Sequence, residues 1–255
     1  MNANWTLTGR RALVTGGTKG IGYAVADELL SLGAEVLIVA RNANDVAAAV
    51  AGWTARGLPA TGLAADLAAP IGQAAVFQHL QAQAQGLDIL VNNVGTNIRK
   101  PFLEFTPADY ERLFQVNLFS TLALCQLLYP LLKASGHGAI VNVGSVAGQI
   151  DVRTGPPYAM TKAALAQLSR NLAVEWAPDG IRVNTVSPWF TRTPLTEDVL
   201  ARPGFLDQIQ ARTPLRRVAE PREMAAAVAF FCLPGASYIT GQNLVVDGGM
   251  TAQGL

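Results

Sequence analysis

Short runs of consecutive apolar residues alternate along the chain with longer stretches in which apolar positions recur every three or four residues. The first run is RALVT at 11–15. A glycine-rich turn follows, and then a helical pattern through Tyr23, Val25, Ala26, Leu29 and Leu30. The run EVLIVA at 35–40 is almost wholly apolar, as expected of a strand covered on both faces. The same alternation predicts strands near 60–65 and at 88–92, 139–145, 181–187 and 243–246. It predicts helices through Val46, Val50 and Trp53, and at 71–85, 107–133, 157–176 and 221–233. Strands that alternate with helices require crossover connections. The expected fold is therefore α/β, a doubly wound seven-stranded parallel sheet with helices on both faces. No linker, repeat or low-complexity segment divides the chain, so 1–255 reads as one domain. The stretch 189–214 breaks the alternation: its apolar pattern is weak, and Pro188, Pro194, Pro203 and Pro214 punctuate it. A long irregular segment inside a domain suggests a substrate loop or lid.

Composition narrows the class. The chain has 255 residues, half of them apolar, and a formal net charge of +1. That apolar content argues against disorder, and the near-zero charge argues against nucleic-acid and membrane-surface partners. Cys125 and Cys232 lie far apart in apolar helical stretches and read as reduced core residues, which excludes a disulfide scaffold. The opening residues carry no signal-peptide pattern, and the apolar run 224–233 is too short to span a bilayer, so the expected location is cytoplasmic. His79 and His137 are isolated, without metal-ligand spacing, and read as surface residues; no metal is expected.

The first strand leads into Thr15-Gly16-Gly17-Thr18-Lys19-Gly20-Ile21-Gly22. Glycines here let the chain turn tightly and let a pyrophosphate approach the backbone, while the next helix presents free N–H groups and the positive end of its dipole. The position fits a dinucleotide fingerprint: after the first strand, before a helix, within a βαβ unit. The second strand ends in Val39-Ala40-Arg41-Asn42, with no carboxylate to take a ribose 2′-hydroxyl. Arg41, helped by Lys19, suits a 2′-phosphate instead, so the expected cofactor is NADP(H).

Tyr158 and Lys162 stand four apart at the start of a helix and share a face. A neighbouring cation favours the phenolate, which suits a tyrosine for exchanging a proton with a substrate oxygen. Ser145, read as the end of the preceding strand, sits at the carboxyl edge of the sheet, where its hydroxyl can meet a carbonyl.

Together these features resemble the short-chain dehydrogenase/reductase family, nearly end to end. The family's TGxxxGxG is met by Thr15, Gly16, Gly20 and Gly22, and its NNAG by Asn92-Asn93-Val94-Gly95. Its helix asparagine is met by Asn117, its serine and YxxxK by Ser145, Tyr158 and Lys162, and its late DGG by Asp247-Gly248-Gly249. The resemblance implies a Rossmann-type fold and a set of roles. Tyr158 is the acid/base, Lys162 binds the nicotinamide ribose and lowers the tyrosine pKa, Ser145 polarises the carbonyl, and Asn117 holds a relay water. It also implies cofactor contacts from Thr18, Ile21, Asp66, Leu67, Asn93, Gly95, Pro188 and Thr193, and a homotetramer or homodimer. One departure is Trp189, where the family has glycine after proline; a bulky indole there is expected to reshape the pocket. Stretches such as Asn4-Trp5-Thr6-Leu7, Glu175-Trp176-Ala177 and Ala236-Ser237-Tyr238 are most similar to the tropinone-reductase-like branch.

Residues expected to face a small carbonyl substrate are Thr96, Asn97, Val146, Gln149, Ile150, Trp189, Phe190 and Leu195, an apolar set with a few polar groups. Asp151 reads first as a solvated partner of Arg153, with contact to a cationic amine as the alternative. The leading expectation is reversible NADPH-dependent reduction of a small cyclic or aryl ketone. The alternative is a 3-oxoacyl-thioester reductase whose carrier protein docks on a basic patch of Arg99, Lys100, Arg212, Arg216 and Arg217. A non-catalytic NADP-binding protein would have little need of Asn117, Ser145, Tyr158 and Lys162 together.

Overall fold

The computed structural model describes residues 3–83 and 86–253. The apolar runs form β1 (Arg11–Thr15), β2 (Glu35–Ala40), β3 (Ala60–Ala64), β4 (Ile89–Asn92), β5 (Ala139–Val143), β6 (Arg182–Pro188) and β7 (Asn243–Val246). All pair in parallel in one sheet of order β3-β2-β1-β4-β5-β6-β7. The chain runs outward from β1 through β2 to β3 and then returns to place β4 on the other side of β1. This reversal opens a crevice beyond the carboxyl ends of β1 and β4, where ligands bind in such sheets.

The helices are α1 (Gly20–Ser31), α2 (Ala43–Thr54), α3 (Pro70–Ala82), α4 (Pro107–Phe114), α5 (Ser120–Ser135), α6 (Pro156–Glu175), α7 (Glu197–Leu200), α8 (Phe205–Arg212) and α9 (Pro221–Cys232). Side chains alternate across a strand, so each central strand feeds two cores. Ala12 and Val14, Ile89 and Val91, and Val141 and Val143 pack with α1, α2 and α9 through Leu29, Trp53 and Val228. Leu13, Leu90 and Ile140 face the other way, onto Leu80 of α3, Leu124 and Leu128 of α5, and Leu172 of α6. Cys125 and Cys232 are free and buried, and burial pushes both thiols up to about 12.

Several expectations need correction. The helix expected over 107–133 is interrupted by a π-helical turn at Gln115–Phe119, which carries Asn117. No residue in QVNLF is a helix breaker, so the apolar pattern gives no sign of the turn. The same 107–135 stretch is long and apolar enough to cross a membrane, which the reading of uninterrupted apolar runs overlooked. Here its face bearing Leu124, Leu128 and Leu132 is spent on the sheet. Strand β5 stops at Val143, so Ser145 lies two residues beyond it and caps the short 3-10 turn Val146–Gly148. The stretch 189–214 is only partly irregular. It folds as α7 and α8 around a small core of Phe190, Val199, Leu200, Ile209 and Val218. The last part of the helix expected over 71–85, residues 84 and 85, lies outside the described residues.

Candidate active site

Gly16 and Gly20 both have positive φ, 66° and 56°, so the turn after β1 needs residues without Cβ strain. Gly22 answers a different need: a Cβ there would stand 2.2 Å from the Gly16 carbonyl oxygen and 2.4 Å from Asn93 Nδ2. Asn93 is a brace for this turn. Its amide donates to the carbonyls of Thr15 and Gly16 at 3.0 and 3.3 Å, while the Thr15 hydroxyl accepts from the Asn93 N–H at 2.9 Å. The loop after β6 closes over the turn, with a Cβ on Gly20 falling 3.2 Å from Thr193.

The result is a groove of about 450 Å³ lined by Gly16, Thr18, Lys19, Gly20 and Ile21 at one end. Arg41, Asp66 and Leu67 line the other, with Asn93, Gly95 and Thr193 along its wall. A backbone cradle that Cβ atoms would fill, followed by a helix N-terminus, fits a dinucleotide pyrophosphate. Gly22 lies beneath the turn, and Pro188 lines the adjoining cavity. Arg112 of α4 also lines the groove and was missed, since only folding brings that helix here. Lys19 needs a correction: its ammonium pairs with Asp45, in the first turn of α2, at 2.9 Å. The sequence offered no acid at the end of β2, but the next helix brings one alongside. An exposed pair of this kind is worth at most about 1 kcal/mol, weak enough for a phosphate to displace.

A second cavity, of about 130 Å³, opens from the groove through shared residues Ile21, Asn93, Gly95 and Thr193. Ser145, Tyr158 and Lys162 line it, opposite Trp189, Phe190 and Leu195. Lys162 is 4% exposed and donates to the Val143 carbonyl at 2.7 Å. Burial of the cation lowers its pKa to about 8. Its nitrogen stands 5.8 Å from the Tyr158 ring centroid. Burial raises the Tyr158 pKa; a hydrogen bond from Ser145 and the charge of Arg99 oppose the rise. The lowering expected from Lys162 does not enter this balance, in which burial of the phenol is the largest effect.

Asn117 is fully buried. Its Oδ1 accepts from the Thr96 N–H at 2.8 Å, and its Nδ2 donates to the Thr96 carbonyl at 2.9 Å. These bonds tie the π turn to the loop after β4. π turns of this kind recur at functional sites. Trp189 is anchored by its indole N–H on the Thr213 hydroxyl at 3.0 Å and packs edge-on to Phe190.

The expected substrate residues separate. Trp189, Phe190 and Asn97 line the catalytic cavity, Thr96 lines the cofactor groove, and Leu195 lines both. Val146 is buried and Gln149 and Ile150 are exposed; none of the three lines either cavity. Exposed Asp151 accepts from the Arg153 N–H at 2.9 Å and also lies outside the cavity lining. Arg99, placed with the surface cations by sequence, lines the catalytic cavity. Lys100 pairs with Asp109 at 2.6 Å and Arg217 with Glu223 at 2.5 Å, so the basic patch loses three of its members. His79 meets Gln83, and His137 meets Asp88 at 2.5 Å.

The family model described as enoyl-(acyl carrier protein) reductase matches residues 16–251. A tropinone reductase homolog of Arabidopsis thaliana is 47% identical over 251 residues, covering 98% of this chain and 95% of its own. Senescence-associated protein 13 of the same plant is 46% identical over 254 residues, covering 99% and 94%. Among solved structures, a gluconate 5-dehydrogenase from Burkholderia cenocepacia in complex with NADP and tartrate is similar at TM-score 0.94 and 33% identity, over 99% of each chain. Glycine cradle, serine, tyrosine and lysine thus sit in a chain whose relatives match it end to end: it belongs to the short-chain dehydrogenase/reductase family of oxidoreductases, in the tropinone-reductase-like branch.

Proposed function

We propose that the protein is an NADP(H)-dependent carbonyl reductase interconverting a small ketone and its secondary alcohol. The reading rests on one observation: Ser145, Tyr158 and Lys162 line a narrow cavity that opens directly into the dinucleotide groove. The bound nicotinamide supplies or accepts the hydride. Ser145 donates a hydrogen bond to the substrate oxygen and fixes its direction. Tyr158 delivers the proton to that oxygen, and its raised pKa keeps the proton in place at neutral pH. Lys162, held by Val143, presents a buried positive charge over the phenol ring and would hold the nicotinamide ribose of a bound cofactor. Asn117 holds the loop bearing Thr96 against the π turn, which sets one wall where groove and cavity meet. Arg41, which makes no ion pair among the described residues, is the 2′-phosphate contact; the NADP in the Burkholderia relative supports this choice.

Tyr158→Phe is the test. NADPH oxidation with a panel of cyclic, aryl and amino ketones should fall by roughly 10²-fold or more. NADPH binding, followed by fluorescence, should persist; unchanged turnover would remove Tyr158 from the proton-transfer role. The acyl-thioester reading is the less supported one, because a carrier protein needs free surface cations, and of those named for it Lys100 and Arg217 are paired and Arg99 lines the catalytic cavity. Preference for an acetoacetyl thioester over every ketone would reverse that ranking.

A further inference from the structure

The catalytic cavity has one wall that the proposed reaction leaves unused. It comes from the loop after β4, which carries Asn97 and Arg99. Four buried side-chain polar atoms lack a hydrogen-bond partner among the described residues, and three of them are here: Asn97 Nδ2, Asn97 Oδ1 and Arg99 Nε. Unsatisfied buried polar atoms each carry a desolvation cost and usually mark an absent partner. Arg99 donates once, to the Leu195 carbonyl at 3.3 Å, and makes no ion pair with any carboxylate among the described residues. Its surroundings oppose its charge through burial and through Arg202, and favour it through Tyr158 and Asp198. Neither Asn97 nor Arg99 lines the cofactor groove, so the cofactor phosphates do not explain them.

We infer that Asn97 and Arg99 form a carboxylate subsite, and that the physiological substrate is a small keto acid reduced to the corresponding hydroxy acid. The inference rests on the carbonyl-reductase reading above and names its substrate class. A guanidinium offers a planar fork of N–H donors matched to two carboxylate oxygens, and the Asn97 amide adds a donor beside it. Trp189, Phe190 and Leu195 receive the carbon skeleton. An amino ketone, by contrast, brings a cation next to an unpaired cation. The reaction balances as one hydride from NADPH to the carbonyl carbon and one proton from Tyr158 to the oxygen, with the carboxylate unchanged.

The experiment compares 4-oxocyclohexanecarboxylate with its methyl ester, which loses the charge and adds one methyl group. The wild type should favour the acid in kcat/KM by at least about tenfold, the scale of one charged hydrogen bond. Arg99→Met should erase that ratio, chiefly through a higher KM for the acid, and Arg99→Lys should retain part of it. A purely structural Arg99 would move acid and ester together, which would overturn the inference, as would equal wild-type use of both. Binding of the hydroxy acid to the NADP⁺ complex, read by tryptophan fluorescence, separates the two proposals. Arg99-dependent binding without turnover of any ketone would leave the subsite standing and defeat the reductase reading. Turnover without acid preference would do the reverse.

Discussion

The two cavities that meet at Gly95 are built on opposite plans. The dinucleotide groove is largely a backbone object. Its floor is a turn in which Gly16 and Gly20 have positive φ and Gly22 leaves no room for a methyl group. Its cations, Lys19, Arg41 and Arg112, stand at the surface. The catalytic cavity is a side-chain object. It buries an ammonium on α6 and three unpartnered polar atoms on the loop after β4 at a cost in stability. A backbone cradle recognises what all dinucleotides share, whereas a cavity of buried side chains recognises one substrate. Substitutions in the groove should therefore be all-or-none at the glycines and graded at the charges. Those in the cavity should change chemistry and selectivity.

The largest effect is expected at Gly22→Ala. The new methyl collides with the Gly16 carbonyl and the Asn93 amide, backbone and brace together, so nothing can yield cheaply. NADPH binding should be lost, and thermal unfolding should report a destabilisation of about 1–3 kcal/mol, the usual range for overpacking. Retained NADPH affinity would break the contrast, because the groove would then tolerate what its geometry forbids.

Next is a pH effect confined to the cavity. Burial lowers Lys162 to about 8 while it raises Tyr158. As pH climbs, Lys162 therefore loses its charge first, and Tyr158 keeps its proton longer. Ketone reduction should decline as pH rises through about 8, before the phenol titrates. A reduction profile flat to pH 10 would show that the lysine charge is not needed for proton delivery.

These two predictions also mark what the sequence made legible. Glycine spacing is readable because positive φ and close approach exclude other residues, and the parallel, doubly wound sheet follows from the strand–helix alternation, whereas the strand order comes only from the structure. The YxxxK pair was readable because four residues span one helical turn. The π turn was not, since its residues suit an ordinary helix and only packing adds the extra one. Arg99 was read as surface because spacing does not say which way a loop turns. Asp45 was missed for a related reason: the acid was sought at the strand end, and folding delivers it from the first turn of α2. Val146, Gln149 and Ile150 follow Ser145 closely in sequence, but the short turn after it leaves them outside both cavities.

At the groove's far end the effects are smaller. Arg41→Asp replaces an exposed cation by the carboxylate that suits a ribose 2′-hydroxyl. Initial rates with each cofactor should shift preference from NADPH toward NADH by about tenfold or more, the scale of a charged hydrogen bond. No shift would assign the 2′-phosphate to other residues, Arg112 first among them.

The smallest effect sharpens the comparison most. Asp45 holds Lys19 at 2.9 Å, and both side chains are partly solvated. If a 2′-phosphate has to displace Asp45, then Asp45→Asn removes a competitor and a repelling charge together. An exposed pair contributes at most about 1 kcal/mol, so the KM for NADPH should fall by no more than about fivefold, with NADH little changed. The gain should shrink with added salt, because both charges lie where solvent screens them. A rise in the KM for NADPH would instead show that Asp45 positions Lys19 for the phosphate, making the ion pair part of the binding surface. Either outcome depends on groups that water reaches, and no such tuning by salt is expected of the buried Lys162 on the cavity side.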